Sequence, residues 1–245
     1  NPVHSLADSQ RMRQALRALD LSVVIDVAMT ETARQADYVL PATSQFEKAE
    51  ATFFNVEFPR NGFHLRQPLV APRPGTLTEA EIHARLVETL GELSEHQYRL
   101  LRGAARWGRT AFGLAFAWRA ARDEKVARYA PVVLYRTLGE TLPTGFAPAA
   151  SLWGLSQMFV RKNKGAAARA GFGGSALAAG NKLFDAIITQ PSGVIYSVSE
   201  YADSWRAVRL PGHKINLCIE EMLAELETLG SKLPQQDADH PFILS

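Results

Sequence analysis

Apolar positions first recur at helical spacing over residues 5–19, where Met12, Ala15, Leu16 and Leu19 share a face and Asp8 or Ser5 can cap the start. Residues 21–27 then form a nearly continuous β-branched run that meets Asp26, the pattern of a strand covered on both faces in a parallel sheet. A short helix is expected over residues 30–36 and a second short strand over 38–40, stopped by Pro41. Helix, strand, helix, strand is an α/β layout with right-handed crossovers.

Prolines 59, 68, 72 and 74 and glycines 62 and 75 break residues 43–78, which read as irregular. Thr78-Glu79-Ala80-Glu81 is a capping box, and Ile82, Leu86, Val87 and Leu90 make the apolar face of the helix it opens, which Gly91 can end. Several helices are expected between about 95 and 160, and a loop with at most one helix over 161–181. A strand is expected over 194–198 and a helix over 219–229. The fold class is therefore α/β: a partial Rossmann-like parallel sheet with flanking helices, plus a mainly helical insertion. The expected divisions are 1–92 for the α/β part, 93–190 for the insertion, and 191–245 for a return to the α/β part and a linker onward.

Composition narrows the chemistry. A net charge of +2 gives no reason to invoke nucleic acid or an anionic membrane surface. The single cysteine, Cys218, rules out an internal disulfide and a cysteine cluster, and is expected to be a buried structural thiol. The most apolar helical stretch, residues 110–121, is too short to span a bilayer and is flanked by Arg109, Arg119 and Arg122. The chain starts at Asn1 with no basic-then-apolar leader, and residues 241–245 read as the entry to a strand, so a piece of a longer protein is expected.

The candidate chemistry lies near the first strand. Asp26 sits where ligands bind in open α/β sheets, at a carboxyl end, and its carboxylate can accept two N–H bonds from a guanine edge. Thr30 or Thr32 opens the following helix, whose N–H groups would face the same crevice and favour phosphate; both are as suited to capping as to ligand contact. Lys48 adds a cation from the next loop. Glu31 is expected in solvent, Asp37 to shape the turn into the second strand, and Glu47 to pair with Lys48 or Arg60. Gly171-Phe172-Gly173-Gly174-Ser175 has no strand before it, so it fails as a dinucleotide fingerprint. The run Arg161-Lys162-Asn163-Lys164 reads as a solvated face, and the six histidines lack metal-ligand spacing.

Val23-Val24-Ile25-Asp26, then Met29-Thr30-Glu31-Thr32-Ala33, then Ala36-Asp37-Tyr38-Val39-Leu40-Pro41-Ala42, then Phe46-Glu47-Lys48 together resemble the molybdopterin oxidoreductases, among them formate dehydrogenases, nitrate reductases and dimethyl sulfoxide reductases. The resemblance is tight over residues 1–57, diffuse over 75–92, weak over 213–245 and absent between about 95 and 190. It implies cofactor contacts at Asn1, at Ile25 and Asp26 for the guanine end, at Lys48, and at Glu79. One departure stands out: Ala49-Glu50-Ala51-Thr52-Phe53-Phe54-Asn55-Val56-Glu57-Phe58 keeps Asn55 and Glu57 but lacks the glycine that follows the glutamate in many members.

The resemblance further implies a molybdenum bis(molybdopterin guanine dinucleotide) cofactor. The metal ligand and a 4Fe-4S cluster would lie before Asn1, so the isolated piece would carry no catalytic residue and be inactive. The expected partners are a small-molecule substrate and an electron-transfer subunit, with no nucleic acid and no membrane span. A cytoplasmic location is expected, with the periplasm left open. The alternative is an electron-transfer subunit similar to the large iron–sulfur subunit of respiratory complex I, which shares the Thr-Glu-Thr-Ala and Leu-Pro-Ala segments without using molybdenum.

Overall fold

The computed structural model describes residues 1–52, 57–206 and 208–229. The chain forms two compact units, Asn1–Ser199 and Glu200–Ser245. The strand entry expected over 241–245, and Asn55 in the departure from the family pattern, lie outside the described residues.

The helix expected over 5–19 is two helices, α1 (Pro2–Ser5) and α2 (Ser9–Arg17). Between them Asp8 adopts a left-handed conformation (φ 57°) and accepts the Arg11 N–H at 3.0 Å, so Asp8 rather than Ser5 is the cap. Strands β1 (Val23–Asp26) and β2 (Tyr38–Pro41) pair in parallel with Val23 opposite Tyr38 and Asp26 opposite Pro41. A further parallel bridge joins Ala42 to Leu77. The expectation that β1 is covered on both faces fails: Val23 is exposed, and Val24, Ile25 and Asp26 are only partly buried. Among the described residues the sheet has two strands and one bridge, too few to enclose that run. Mixed α/β architecture, with helix dominating, holds as expected.

Two short antiparallel ladders lie in the stretch read as irregular. Strand β3 (Glu50–Ala51) pairs with β5 (Leu65–Arg66). Strand β4 (Arg60–Phe63) pairs with β6 (Val194–Val198), with a register shift between Asn61 and Gly62. Arg60-Asn61-Gly62-Phe63 has poor strand propensity. Its partner β6 carries the pattern, and the buried Asn61 amide donates to the Ser197 hydroxyl at 3.1 Å across the ladder.

Helix α3 (Glu79–Thr89) runs from the sheet toward the helical part, and Gly91 beyond its end takes φ 72°. Then follow α4 (Glu95–Arg106), α5 (Arg109–Ala120), α6 (Glu124–Arg128), α7 (Ala130–Arg136), α8 (Ser151–Lys162), α9 (Lys164–Arg169) and α10 (Ala176–Thr189). The core sits here, with Leu101, Phe112, Val126, Val133, Leu138 and Phe184 wholly buried. Phe112, Phe116 and Trp153 pack edge-on or tilted at centroid separations of 5.1–5.8 Å. The Trp153 indole N–H and the Gln157 amide both donate to Asn181 Oδ1 at 2.9 Å, fixing α8 against α10. Gly180 makes that approach feasible, because a Cβ there would lie 2.4 Å from Gln157 Oε1.

The loop expected over 161–181 holds α9 and the start of α10. Its glycines 171 and 174 take positive φ, and Ser175 accepts the Ala178 N–H at 3.4 Å as the cap of α10. That segment serves as a helix-to-helix turn, with no strand leading into it. In the second unit, α11 (Tyr201–Trp205) and α12 (Glu220–Leu229) are described. Cys218 is exposed, contrary to expectation. It sits in a non-helical segment before α12, between the exposed Leu217 and Ile219, where none of these side chains is packed over.

Candidate functional site

β1, β2 and the Leu77 segment all run parallel, so their carboxyl ends lie on one edge, where the Ala42 N–H donates to the Asp26 carbonyl and the Thr43 N–H to the Leu77 carbonyl. The chain after Leu77 turns directly into α3. This edge therefore gathers Asp26, Thr43, the cap residue Thr78 and Glu79, the arrangement that forms ligand crevices in open α/β sheets.

Asp26 is half-buried and its carboxylate organises the turn after β1. Oδ1 accepts the Val27 N–H at 2.7 Å and the Ala28 N–H at 3.4 Å; Oδ2 accepts the Thr30 hydroxyl at 3.0 Å. The Thr30 hydroxyl in turn accepts the Ala33 N–H at 3.3 Å. Ile25, one residue before, is half-buried opposite Leu40. The expected helix over 30–36 is a single 3-10 turn, Ala33–Gln35. Asp26 and Thr30 hold the chain in a hydrogen-bonded turn up to residue 30, the chain is already extended at Ala36, and a turn this short lacks the aligned dipoles that would draw a phosphate.

Asn1 and Thr32 form a second cluster. Asn1 Oδ1 accepts the Thr32 hydroxyl at 2.7 Å and the Thr32 N–H at 3.2 Å, while Asn1 Nδ2 donates to Glu31 at 2.6 Å. The buried Thr32 hydroxyl also accepts the Val3 N–H at 3.1 Å, so it ties α1 to this turn instead of capping a helix. Glu31 is exposed as expected, and the Asn1 hydrogen bond lowers its pKa from the usual glutamate value. Asp37 shapes the entry to β2 as expected, accepting the Ser22 N–H at 2.7 Å and the Ser22 hydroxyl at 3.0 Å, bonds that lower its pKa.

The third cluster unites two residues expected separately. Lys48 is 8% exposed, and its Nζ lies 2.5 Å from both carboxylate oxygens of Glu79 and 3.5 Å from Glu50. Glu79 is the first residue of α3, where a carboxylate is favoured by the helix dipole. Glu47 pairs with neither Lys48 nor Arg60. It is buried and accepts the Ser44 N–H at 2.6 Å and the Arg73 N–H at 2.9 Å, and the Ser44 bond lowers its pKa. Glu47 thus closes the loop that sets Lys48 in place. The expected capping box is half formed: the Thr78 hydroxyl accepts the Glu81 N–H at 3.3 Å, but the Glu81 side chain goes to Arg85, Tyr135 and Arg136.

Ser22, Glu50 and Thr43 were not legible as site neighbours. Thr43 is 1% exposed, and among the described residues neither its hydroxyl nor Nε of Arg66, which lies opposite Glu50 in the β3–β5 ladder, has a hydrogen-bond partner. Only sheet pairing brings these groups to the edge. Among the described residues no group of three His, Cys, Asp or Glu side chains could hold a metal ion, and no helix is long and apolar enough to cross a membrane.

The Asp26 carboxylate accepts three donors from its own turn, two on Oδ1 and one on Oδ2, which leaves room on Oδ2 for one of the two N–H bonds expected of it. Lys48 and Glu79 present a donor and an acceptor side by side, with the cation already matched.

Residues 1–88 match the family model of the molybdopterin oxidoreductases. The chain is similar to the F420-dependent formate dehydrogenase subunit alpha of Methanocaldococcus jannaschii, 38% identical over 98 residues, covering 40% of this chain and 14% of that protein. A probable oxidoreductase of Bacillus subtilis, YoaE, is 34% identical over 109 residues, 42% of this chain and 16% of its own length. The trimethylamine-N-oxide reductase of Vibrio vulnificus is 33% identical over 96 residues, 39% and 12% respectively. The matches span about one sixth or less of these relatives.

Proposed function

We propose that this chain, whose residues 1–88 match the molybdopterin oxidoreductase family model, forms part of the cradle for a molybdopterin guanine dinucleotide in a formate dehydrogenase-like oxidoreductase. The observation that carries this reading is the half-buried Asp26 carboxylate at the carboxyl end of β1, beside parallel β2 and the start of α3.

In this reading Asp26 and Ile25 receive the guanine end: the carboxylate accepts an N–H bond from the base at the Oδ2 site its own turn leaves free, and Ile25 borders it with apolar surface. Thr30 holds the carboxylate in its rotamer. Asn1 and Thr32 contact the cofactor beside the first turn, with Glu31 fixing the Asn1 amide. Lys48 and Glu79 bind a polar part of the cofactor as a donor–acceptor pair, and Glu47 positions Lys48. The molybdenum held by the pterins would supply the two-electron chemistry. This chain's residues bind, orient and exclude water; none touches the reacting atoms. The whole protein would carry a 4Fe-4S cluster in another part and pass electrons to a further subunit; the Methanocaldococcus jannaschii relative is itself named a subunit alpha.

The test is metal and nucleotide analysis of the protein purified from cells that make the cofactor. Molybdenum or tungsten together with guanine nucleotide released on acid treatment is the expected result. A folded protein carrying neither would defeat the reading.

A further inference from the structure

The hairpin of α4 and α5 lies beyond the family-matched residues 1–88, and its outward face carries exposed tryptophan and leucine. Between Glu95 and Asp123 the chain has six arginines and no acidic residue. The net charge of the whole chain conceals this local asymmetry. The two helices pack side by side, joined only by Trp107 and Gly108.

On α4 the buried face carries Tyr98, Leu101 and Ala105, which turns Leu100, Gly103 and Trp107 away from the core at i, i+3, i+7 spacing. On α5 the buried face carries Phe112 and Gly113, which turns Leu114 and Trp118 outward at i, i+4 spacing with Ala117 and Ala121 between and beyond them. Trp107 is 87% exposed and Leu114 63%. Large side chains this far into water on adjacent helices mark an interaction surface.

The charges identify what the surface meets. Arg102, Arg109 and Arg119 are engaged by Glu95 and Glu140, Asp185, and Asp123. Arg99, Arg106 and Arg122 form no ion pair among the described residues. The Arg122 guanidinium instead lies over the Trp118 ring, 4.5 Å from its centroid. Exposed tryptophan and leucine, flanked by arginines that form no ion pair among the described residues, fit a lipid interface. There indole rings favour the headgroup level, and guanidinium groups reach anionic lipid while their stems stay in apolar surroundings.

We propose that the outward face of the α4–α5 hairpin is a peripheral docking surface for an anionic lipid bilayer. It lies flat on the bilayer, seating Trp107, Trp118, Leu100 and Leu114 at the headgroup boundary. The proposal is independent of the cofactor reading.

The test is co-sedimentation of the full chain with vesicles of phosphatidylglycerol and phosphatidylcholine, against phosphatidylcholine alone. Binding to the anionic vesicles only, weakened by raising the salt to about 0.5 M, is the expected result. The triple variant Arg99→Gln, Arg106→Gln, Arg122→Gln should bind roughly tenfold to a hundredfold more weakly. Trp107→Ala with Trp118→Ala should lose binding while keeping the circular dichroism of the parent. No binding of the folded parent to anionic vesicles overturns the proposal, as does binding that the arginine variant leaves intact. Self-association without lipid, abolished by the tryptophan variant, would assign the face to a protein partner and also overturn it.

Discussion

The Lys48 ammonium lies 2.5 Å from both carboxylate oxygens of Glu79, and the two ends of this pair differ in burial. The lysine side chain is 10% exposed and the glutamate 42%. Removing the glutamate therefore leaves a charge that water cannot easily reach, with only Glu50 at 3.5 Å. Removing the lysine leaves a carboxylate that is hydrated and stabilised by a helix N-terminus. Glu79→Gln should cost about 2–3 kcal/mol and Lys48→Met about 1 kcal/mol. Urea denaturation of the two variants checks the order; a larger loss for Lys48→Met would contradict it.

Acid should loosen the same loop. The Ser44 N–H holds Glu47 below the usual glutamate pKa, and burial of Glu81, which pushes its pKa up, is outweighed by hydrogen bonds from Arg85, Arg136 and Tyr135. A carboxylate with a lowered folded-state pKa contributes stability above its unfolded value, about 4.3, and loses it as pH falls through the folded value. Stability should be flat at neutral pH and decline below about pH 4.5. In Glu47→Gln part of that acid-side slope should vanish, read from urea midpoints across the range. An unchanged slope in both Glu47→Gln and Glu81→Gln would refute the assignment.

The helical core depends on one shared acceptor. Asn181 Oδ1 serves the Trp153 indole N–H and the Gln157 amide together, in buried surroundings. Asn181→Leu removes both bonds and strands a buried N–H, for an expected loss of about 2–4 kcal/mol in thermal or urea unfolding. A loss under about 0.5 kcal/mol would show that the pair is not needed.

Gly139 tests backbone packing between the two 3-10 turns Leu138–Thr141 and Ala147–Ala150. A Cβ there would stand 3.0 Å from the Ala147 carbonyl oxygen, a backbone atom that cannot swing aside. Gly139→Ala should destabilise by about 1–3 kcal/mol. A neutral or stabilising effect would mean the turns separate easily.

Much of the first 42 residues was legible because periodicity and capping act locally. The β1–β2 pair, the turn role of Asp37 and the start of α3 at Thr78 all rest on neighbours close in sequence. What escaped rests on long-range partners. Arg60-Asn61-Gly62-Phe63 becomes a strand only because Val194–Val198 offers it a ladder. Glu47 finds backbone N–H groups through a fold that brings Arg73 beside it. The expected helix over residues 30–36 gave way to a 3-10 turn because the chain is already extended at Ala36, where the Asp37 N–H turns to the Ser22 carbonyl at the entry to β2. In the candidate site, sequence separated Lys48 from Glu79, and only the parallel bridge at Leu77 puts them in contact.

The decisive measurement is the guanine nucleotide content of an Asp26→Asn variant of the protein purified with its cofactor. Asparagine keeps an oxygen for the Val27 and Ala28 N–H groups and an amide beside Thr30, so the turn should persist, but it removes the carboxylate. Nucleotide retention should fall about tenfold to a hundredfold with the circular dichroism and urea midpoint near those of the parent. Full retention of guanine nucleotide in a folded Asp26→Asn protein would contradict the assignment of Asp26 to the guanine end.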